Sequence, residues 1–223
     1  MANKNQIILD ADGVLLHYTE AFFSYMEHCH GIVPAISPKQ LQSFVMSDAF
    51  PSYSVQDIFH FVKEFSRHPA FEFISPIDGA VEGLGLLRRF VPDLEIHVVT
   101  SCGDHVDTAQ MRTRCIHGHF GNDVVVHAIG LGGEKHEKLS SFASETLFVD
   151  DAYKNVASGK RAGLDVVWFK PDVGLIYKDM NEEAVDMTPV RGWSALTKNI
   201  MNKFGIAEPE KTLSQIKADC LIL

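Results

Sequence analysis

Five short β-branched runs, each followed by a helical pattern, constrain this chain more than any other feature. Residues 6–9 (QIIL), 95–100 (EIHVVT), 123–128 (DVVVHA), 146–149 (TLFV) and 165–169 (DVVWF) are compact and largely apolar. Runs of that kind suit strands covered on both faces. Helical patterns fall between them at 79–90, 105–119, 134–142 and 154–162, and a last one covers 193–204. Strand–helix alternation implies right-handed crossovers, so the expected fold is α/β with a doubly wound parallel sheet.

Residues 17–76 break the rhythm. TEAFFSYMEHCH, SPKQLQSFVM and SVQDIFHFVKEFSRH are three amphipathic helical patterns with Ser, Thr or Pro near their starts, and no β-rich run separates them. The expected organisation is a core of residues 1–16 and 77–206, a small inserted helical cap over 17–76, and a C-terminal tail over 207–223.

Composition excludes several classes of partner. The 29 acidic residues outnumber the 20 Lys plus Arg, for a formal net charge of −9, and no dense basic stripe offsets them. No nucleic-acid polymer is therefore expected as a partner, although one local cation can still hold a small anion inside a pocket. No apolar run reaches the roughly 18 residues of a membrane span, so no membrane partner is expected either. The opening residues, MANKNQIILDADG, lack the apolar stretch of a secretory signal. Four cysteines, Cys29, Cys102, Cys115 and Cys220, form no CxxC pair and read as free thiols of a reducing, cytoplasmic compartment.

In an open α/β sheet, ligands collect beyond the carboxyl ends of the strands. Asp10, Asp12 and Gly13 follow the first run, and Thr100 and Ser101 close the second. Lys135 stands in a Gly-Gly-Glu-Lys turn before the fourth, which ends in Asp150 and Asp151. Carboxylates, hydroxyls and an ammonium converging on one crevice suit a hard cation with oxygen ligands and a phosphate. Asp10 and Asp12 leave the same face of extended chain, so one can attack while the other moves a proton. Gly13 lets the backbone turn sharply just after the two aspartates.

DADGVL after an apolar strand, VVTS, a Lys at a helix start, and LFVDDAYKN followed by GKRAGLDVVWF resemble the four motifs of the haloacid dehalogenase superfamily. The resemblance covers about residues 6 to 170, with the helical insert where that family places a C1-type cap. It implies a Mg²⁺-dependent phosphomonoester hydrolase acting on a small phosphorylated metabolite through an aspartyl-phosphate. Carried over, Asp10 is the nucleophile and a metal ligand, and Asp12 is the general acid/base with its backbone carbonyl on the metal. Thr100, Ser101 and Gly13 bind phosphate, and Lys135, or Lys138 one turn later, neutralises it. Asp151 ligates the metal, with Asp150 behind it. The second aspartate of the first motif, Asp12, argues for phosphatase rather than dehalogenase chemistry.

A narrower stretch, HPAFEFISPIDGAVEGL, resembles the segment joining cap to core in the 5′(3′)-deoxyribonucleotidases. That resemblance implies a (deoxy)nucleoside monophosphate as one candidate substrate, with Tyr18, Phe22, Phe71 and Phe73 lining the pocket. The alternatives are a phosphonatase or mutase, the former using a cap lysine such as Lys39 or Lys63, and a non-catalytic binding module of the same fold. His28, Cys29 and His30 converge poorly on a helix and read as surface or packed residues. Cys102 reads as a bystander, and Cys220-Leu-Ile-Leu reads as an apolar end rather than a prenylation box.

Overall fold

The computed structural model describes residues 5–41, 46–103, 105–171 and 187–206. Its centre is one six-stranded sheet of order β3-β2-β1-β4-β5-β6. The strands are β1 (Gln6–Leu9), β2 (Glu95–Thr100), β3 (Val125–Ala128), β4 (Leu147–Asp150), β5 (Asp165–Lys170) and β6 (Val190–Arg191). Every pairing is parallel. The five sequence runs are all strands, and β6 is an additional two-residue edge, too short to leave a periodicity of its own.

Seven α-helices complete the described residues: α1 (Tyr18–His30), α2 (Val55–Phe65), α3 (Ala80–Phe90), α4 (Val106–Phe120), α5 (His136–Leu139), α6 (Tyr153–Arg161) and α7 (Gly192–Lys203). Alternate strand residues serve opposite layers. Ile7, Leu9, Val98, Val149 and Phe169 pack with residues of α3, α4 and α7, while Ile8, Val99 and Phe148 pack with Leu139 of α5 and the chain after α6. Burial on both faces is what makes these strands apolar along their whole length. Gly159 lets α6 lie close to the sheet, since a Cβ there would stand 2.5 Å from Cδ1 of Phe148.

Two helical expectations shrink. The pattern over 134–142 yields only the single turn of α5. The N–H groups of Ser141 and Phe142 turn to the carbonyls of Lys138 (3.1 Å) and Leu139 (3.2 Å), three residues back, and the Ser141 hydroxyl also donates to the Lys138 carbonyl (2.7 Å), the acceptor that a continuing helix would use. Of the pattern in SPKQLQSFVM, a 3₁₀ turn at Pro38–Gln40 is formed and Leu41 is already extended; residues 42–45 lie outside the described residues. The other two patterns of the insert become α1 and α2. Ser54 caps α2, accepting from the Asp57 N–H (3.2 Å) while Asp57 accepts from the Ser54 N–H (2.9 Å). Phe22, Phe50, Phe65 and Phe71 of this segment join the same apolar cluster as β1. Among the described residues, no helix is long and apolar enough to cross a membrane. The C-terminal tail with Cys220 lies outside the described residues.

Candidate active site

The strand order places β1 between β2 and β4, with later strands running outward on each side. The loops after β1 and β4 therefore diverge around a crevice, where a doubly wound sheet binds its ligands. Asp10 directly follows β1, and its N–H donates to the Val149 carbonyl (2.9 Å). The chain then turns tightly: the N–H groups of Leu15 and Leu16 both donate to the Ala11 carbonyl at 2.8 Å. Trp193 of α7 pins this turn from below, its indole N–H donating to the Val14 carbonyl at 2.7 Å. Gly13 has φ +80°, and a Cβ there would lie 2.1 Å from Oδ2 of Asp151. Only glycine allows that backbone conformation and so close an approach of the two loops.

Lys135, 1% exposed, bridges the two strand ends. Its Nζ lies 2.7 Å from Oδ1 of Asp10 and 2.7 Å from Oδ2 of Asp150. Burial works against the ammonium, but Asp10 and Asp150 outweigh it and hold Lys135 above its ordinary value. Asp10 Oδ1 also accepts from the Ala11 N–H at 2.7 Å, whereas Oδ2 accepts from no described residue. Asp150 is fully engaged: besides Lys135 it accepts from the Ala152 N–H (2.8 Å) and from the Asn155 amide (3.1 Å to each oxygen). Burial pushes its carboxyl upward, and the Lys135 ammonium opposes that. Lys138, by contrast, stands over the Phe142 ring and does not line the cavity, so of these two lysines Lys135 is the one at the crevice.

Asp10, Asp150 and Asp151 are buried, with carboxylate oxygens within 4.8 Å of one another. Among the described residues they form the one cluster able to hold a metal ion. Asp151 accepts no side-chain hydrogen bond from any described residue. Burial raises its carboxyl well above the usual range, and the neighbouring charges of Asp150 and Asp10 raise it further. A buried carboxylate in this state is what a hard cation relieves, and an all-oxygen set suits Mg²⁺. The residues present thus fit such an ion, with Asp10 and Asp151 free to hold it. The cluster His28, Cys29 and His30 is otherwise engaged: His28 Nδ1 lies 2.8 Å from the Ser24 carbonyl and His30 Nε2 lies 3.0 Å from the Tyr25 hydroxyl.

Asp12 does not turn to that cluster. It pairs with Arg112 of α4, whose Nη2 lies 2.8 and 2.9 Å from the two carboxylate oxygens. Arg112 is fully buried and stands over the Phe71 ring at 4.2 Å. Burial lifts the Asp12 carboxyl to about 6, against the pull of Arg112 and with some help from Asp10. Its side chain keeps 27% exposure, on the cavity side. Neither Arg112 nor Asn155 was singled out in the sequence. The available signal for Arg112 was a cation on the stripe Thr108, Met111, Arg112, Cys115, Ile116, which is otherwise the buried face of α4.

A cavity of ≈ 390 Å³ opens between this crevice and the helical insert. Asp10, Asp12, Gly13, Ser101, Lys135 and Asp151 line its floor, and Tyr18 and Phe71 line its walls. Thr100 sits just beneath; it is fully buried, and its hydroxyl has no partner among the described residues. Ser101 reaches the cavity, though its hydroxyl donates to the Gly133 carbonyl at 3.3 Å. Two expected pocket residues are elsewhere. Phe22 is buried inside the apolar cluster and Phe73 is 77% exposed, so neither lines the cavity. The aromatic-rich stretch 68–73 winds as a 3₁₀ turn that sends Phe71 inward and Phe73 out. Lys63 is held over the Phe59 ring at 4.6 Å and does not itself line the cavity, and Lys39 borders a different one, so neither supplies an amine at the crevice. Cys102 borders the cavity as a thiol that burial pushes upward in pKa, a poor nucleophile.

No protein-family model matches the sequence, and no curated protein matches it. Solved structures do match in shape. The mycobacterial protein tyrosine kinase A of Mycobacterium tuberculosis aligns at TM-score 0.61 and 15% identity, over 90% of this chain and 99% of that one. A haloacid dehalogenase-like hydrolase from Streptococcus pneumoniae gives 0.58 and 11%, over 86% and 94%. A hydrolase of the same family from Deinococcus radiodurans, solved with bound phosphate and sodium, gives 0.53 and 14%, over 94% and 100%. At such identities shape alone is shared, and on that ground the chain has the fold of the haloacid dehalogenase-like hydrolases.

Proposed function

We propose that the protein is a Mg²⁺-dependent phosphomonoester hydrolase that works through an aspartyl-phosphate on Asp10. One observation carries the reading. Lys135 and the Ala11 N–H hold one oxygen of Asp10, leaving the other without a partner among the described residues, in a residue that lines the cavity. A carboxylate fixed in this way is oriented for attack. The Deinococcus neighbour, with its bound phosphate, supports phosphate as the ligand of such a crevice.

Asp10 attacks phosphorus in line, forming a P–O bond to its free oxygen while the ester P–O bond breaks. Asp12 gives its proton to the leaving alkoxide. Asp12 then takes a proton from water as that water attacks phosphorus and releases Asp10. A carboxyl titrating near 6 serves in both directions at neutral pH. Lys135 offsets charge on the phosphoryl oxygens; Thr100, the expected hydroxyl donor, is buried behind the cavity lining, and its Oγ1 has no partner among the described residues. Mg²⁺, held by Asp10, Asp151 and the backbone carbonyl of Asp12, would neutralise further negative charge on the phosphoryl group. The helical insert acts as a cap that excludes water and contacts the alcohol.

The nucleotide expectation retains Tyr18 and Phe71 at the cavity but loses Phe22 and Phe73. The phosphonatase alternative finds no cavity lysine in the insert among the described residues. Phosphate release from a panel of phosphomonoesters, with Mg²⁺ and with chelator, tests the reading. Metal-dependent release abolished in Asp10→Asn is expected, and undiminished release by that variant refutes the assignment.

A further inference from the structure

We propose that the alcohol carried by the ester is uncharged and largely apolar, a single aromatic ring or a short branched chain, rather than a carboxylic acid, sugar or nucleoside. This rests on the phosphomonoesterase reading and adds the substrate class to it.

The wall facing the reacting end is set by α2. Val55, Ile58, Phe59 and Val62 recur at the i, i+3, i+4, i+7 spacing of one helix face, and all four line the cavity. Val55 and Phe59 are 54% and 43% exposed, an unusual cost for residues with a buried side available on the same helix. Asp57, Lys63 and Glu64 of α2 are not among the cavity residues. Met46 and Phe71 extend the same apolar surface. Ser66 borders it too, but its hydroxyl already donates to the Lys63 carbonyl at 2.8 Å. The hydroxyls of Tyr18 and Thr19 belong to the start of α1, beside the loop that carries Asp12. Among the described residues, then, the insert brings no charged side chain to the cavity.

Asp10, Asp12, Asp151 and Lys135 belong to the phosphoryl chemistry. Among the described lining residues the one further charge is Lys154, exposed at the start of α6 on the core side, while Lys63 of α2 has its ammonium over the Phe59 ring and is not itself a lining residue. A carboxylate or a ring of hydroxyls on the alcohol would be stranded against α2 without partners. Each stranded polar group lowers affinity about tenfold or more, whereas each added methylene against an apolar wall gains about 10-fold or more in discrimination. At ≈ 390 Å³ the cavity is near the lower end of ligand sites, and the phosphoryl group takes part of it. A compact alcohol fills the remaining space.

The test has two arms. In the first, kcat/KM with Mg²⁺ is compared for benzyl phosphate and 3-methylbutyl phosphate against phosphoglycolate, ribose 5-phosphate and thymidine 5′-monophosphate. All five release a primary alkoxide, so differences report binding of the alcohol. In the second, benzylphosphonate and phosphonoacetate, which are not hydrolysed, are compared by calorimetric Kd. The apolar member is expected to lead by about tenfold or more in both arms. Phe59→Lys, at a half-exposed position that tolerates a long side chain, is expected to narrow that lead at an unchanged melting temperature. A lead for the polar esters, or no lead, overturns the inference and leaves the phosphatase reading standing. If no ester is turned over, the phosphatase reading fails instead. The phosphonates then decide the inference, and benzylphosphonate binding no tighter than phosphonoacetate overturns it.

Discussion

Replacing Arg112 by methionine removes the cation that faces Asp12 and keeps most of the side-chain volume over Phe71. Taking one partner from a buried ion pair costs about 3–5 kcal/mol, because the other charge is left stranded. Two features place Arg112→Met at the lower end. Asp12 retains 27% exposure and can be partly hydrated through the cavity. Nε and Nη1 of Arg112 have no hydrogen-bond partner among the described residues, so part of the desolvation cost of the guanidinium disappears with it. The expected loss is about 3 kcal/mol, or a fall in Tm of roughly 6–12 °C at the ~2–4 °C per kcal/mol typical of a domain this size. Asp12→Asn strands Arg112 in turn and costs a similar amount. The double variant strands neither, so its loss is smaller than the sum, with a coupling of about 1–3 kcal/mol. Urea unfolding of the four proteins at pH 7 measures each corner. Strict additivity would refute the pairing as a determinant of stability and free Asp12 from Arg112 altogether.

Gly13→Ala puts a methyl group against Asp151 in a left-handed conformation, so it is expected to abolish phosphate release while lowering Tm by only a few degrees; activity above a tenth of normal contradicts the close approach. Asp151→Asn removes a carboxylate held up by burial and by its neighbours Asp150 and Asp10; melting curves are expected to show a higher Tm without metal and no response to Mg²⁺, where the parent protein gains about 2.7 kcal/mol at a hundredfold excess over Kd. His127, stacked on His97 with ring centroids 5.4 Å apart, is depressed to about 4 by burial, then by Lys138 and His97. The unfolded chain takes up that proton first, so the contribution is complete above about 6.5 and is lost as pH falls from there towards about 4. His127→Gln is expected to flatten that part of the Tm–pH curve, and an unchanged slope would assign it to other groups.

The sheet was legible because its strands are covered on both faces, so Ile7, Ile8 and Leu9 carry the signal without help from neighbours. The two edges were less so: β3 starts two residues late, with Val125 45% exposed, and β6 has only Val190 and Arg191. Helix lengths failed where side chains rather than periodicity decide. After Leu139 the backbone tightens to three-residue bonds with the Ser141 hydroxyl on the Lys138 carbonyl, and Leu41 is already extended after the turn at Pro38–Gln40. In the site, residues at strand ends were readable because the sheet dictates where those ends point. Phe22 and Phe73 were misplaced since an aromatic-rich helix or turn does not say which ring faces a cavity and which faces the core. Arg112 was missed for a related reason. It lies 100 residues from Asp12 in sequence, and only the tertiary packing of α4 beside the loop after β1 brings the two together.

The central claim, covalent catalysis by Asp10, is tested most directly by trapping the intermediate. The protein is mixed with Mg²⁺ and radiolabelled benzyl phosphate, quenched in acid within the first turnover, reduced with borohydride and mapped by peptide mass. Acid-stable label, with reduction of the acyl phosphate to homoserine at position 10 and neither in Asp10→Asn, is the predicted result. Phosphate release without protein-bound label, or label on another residue, would contradict it.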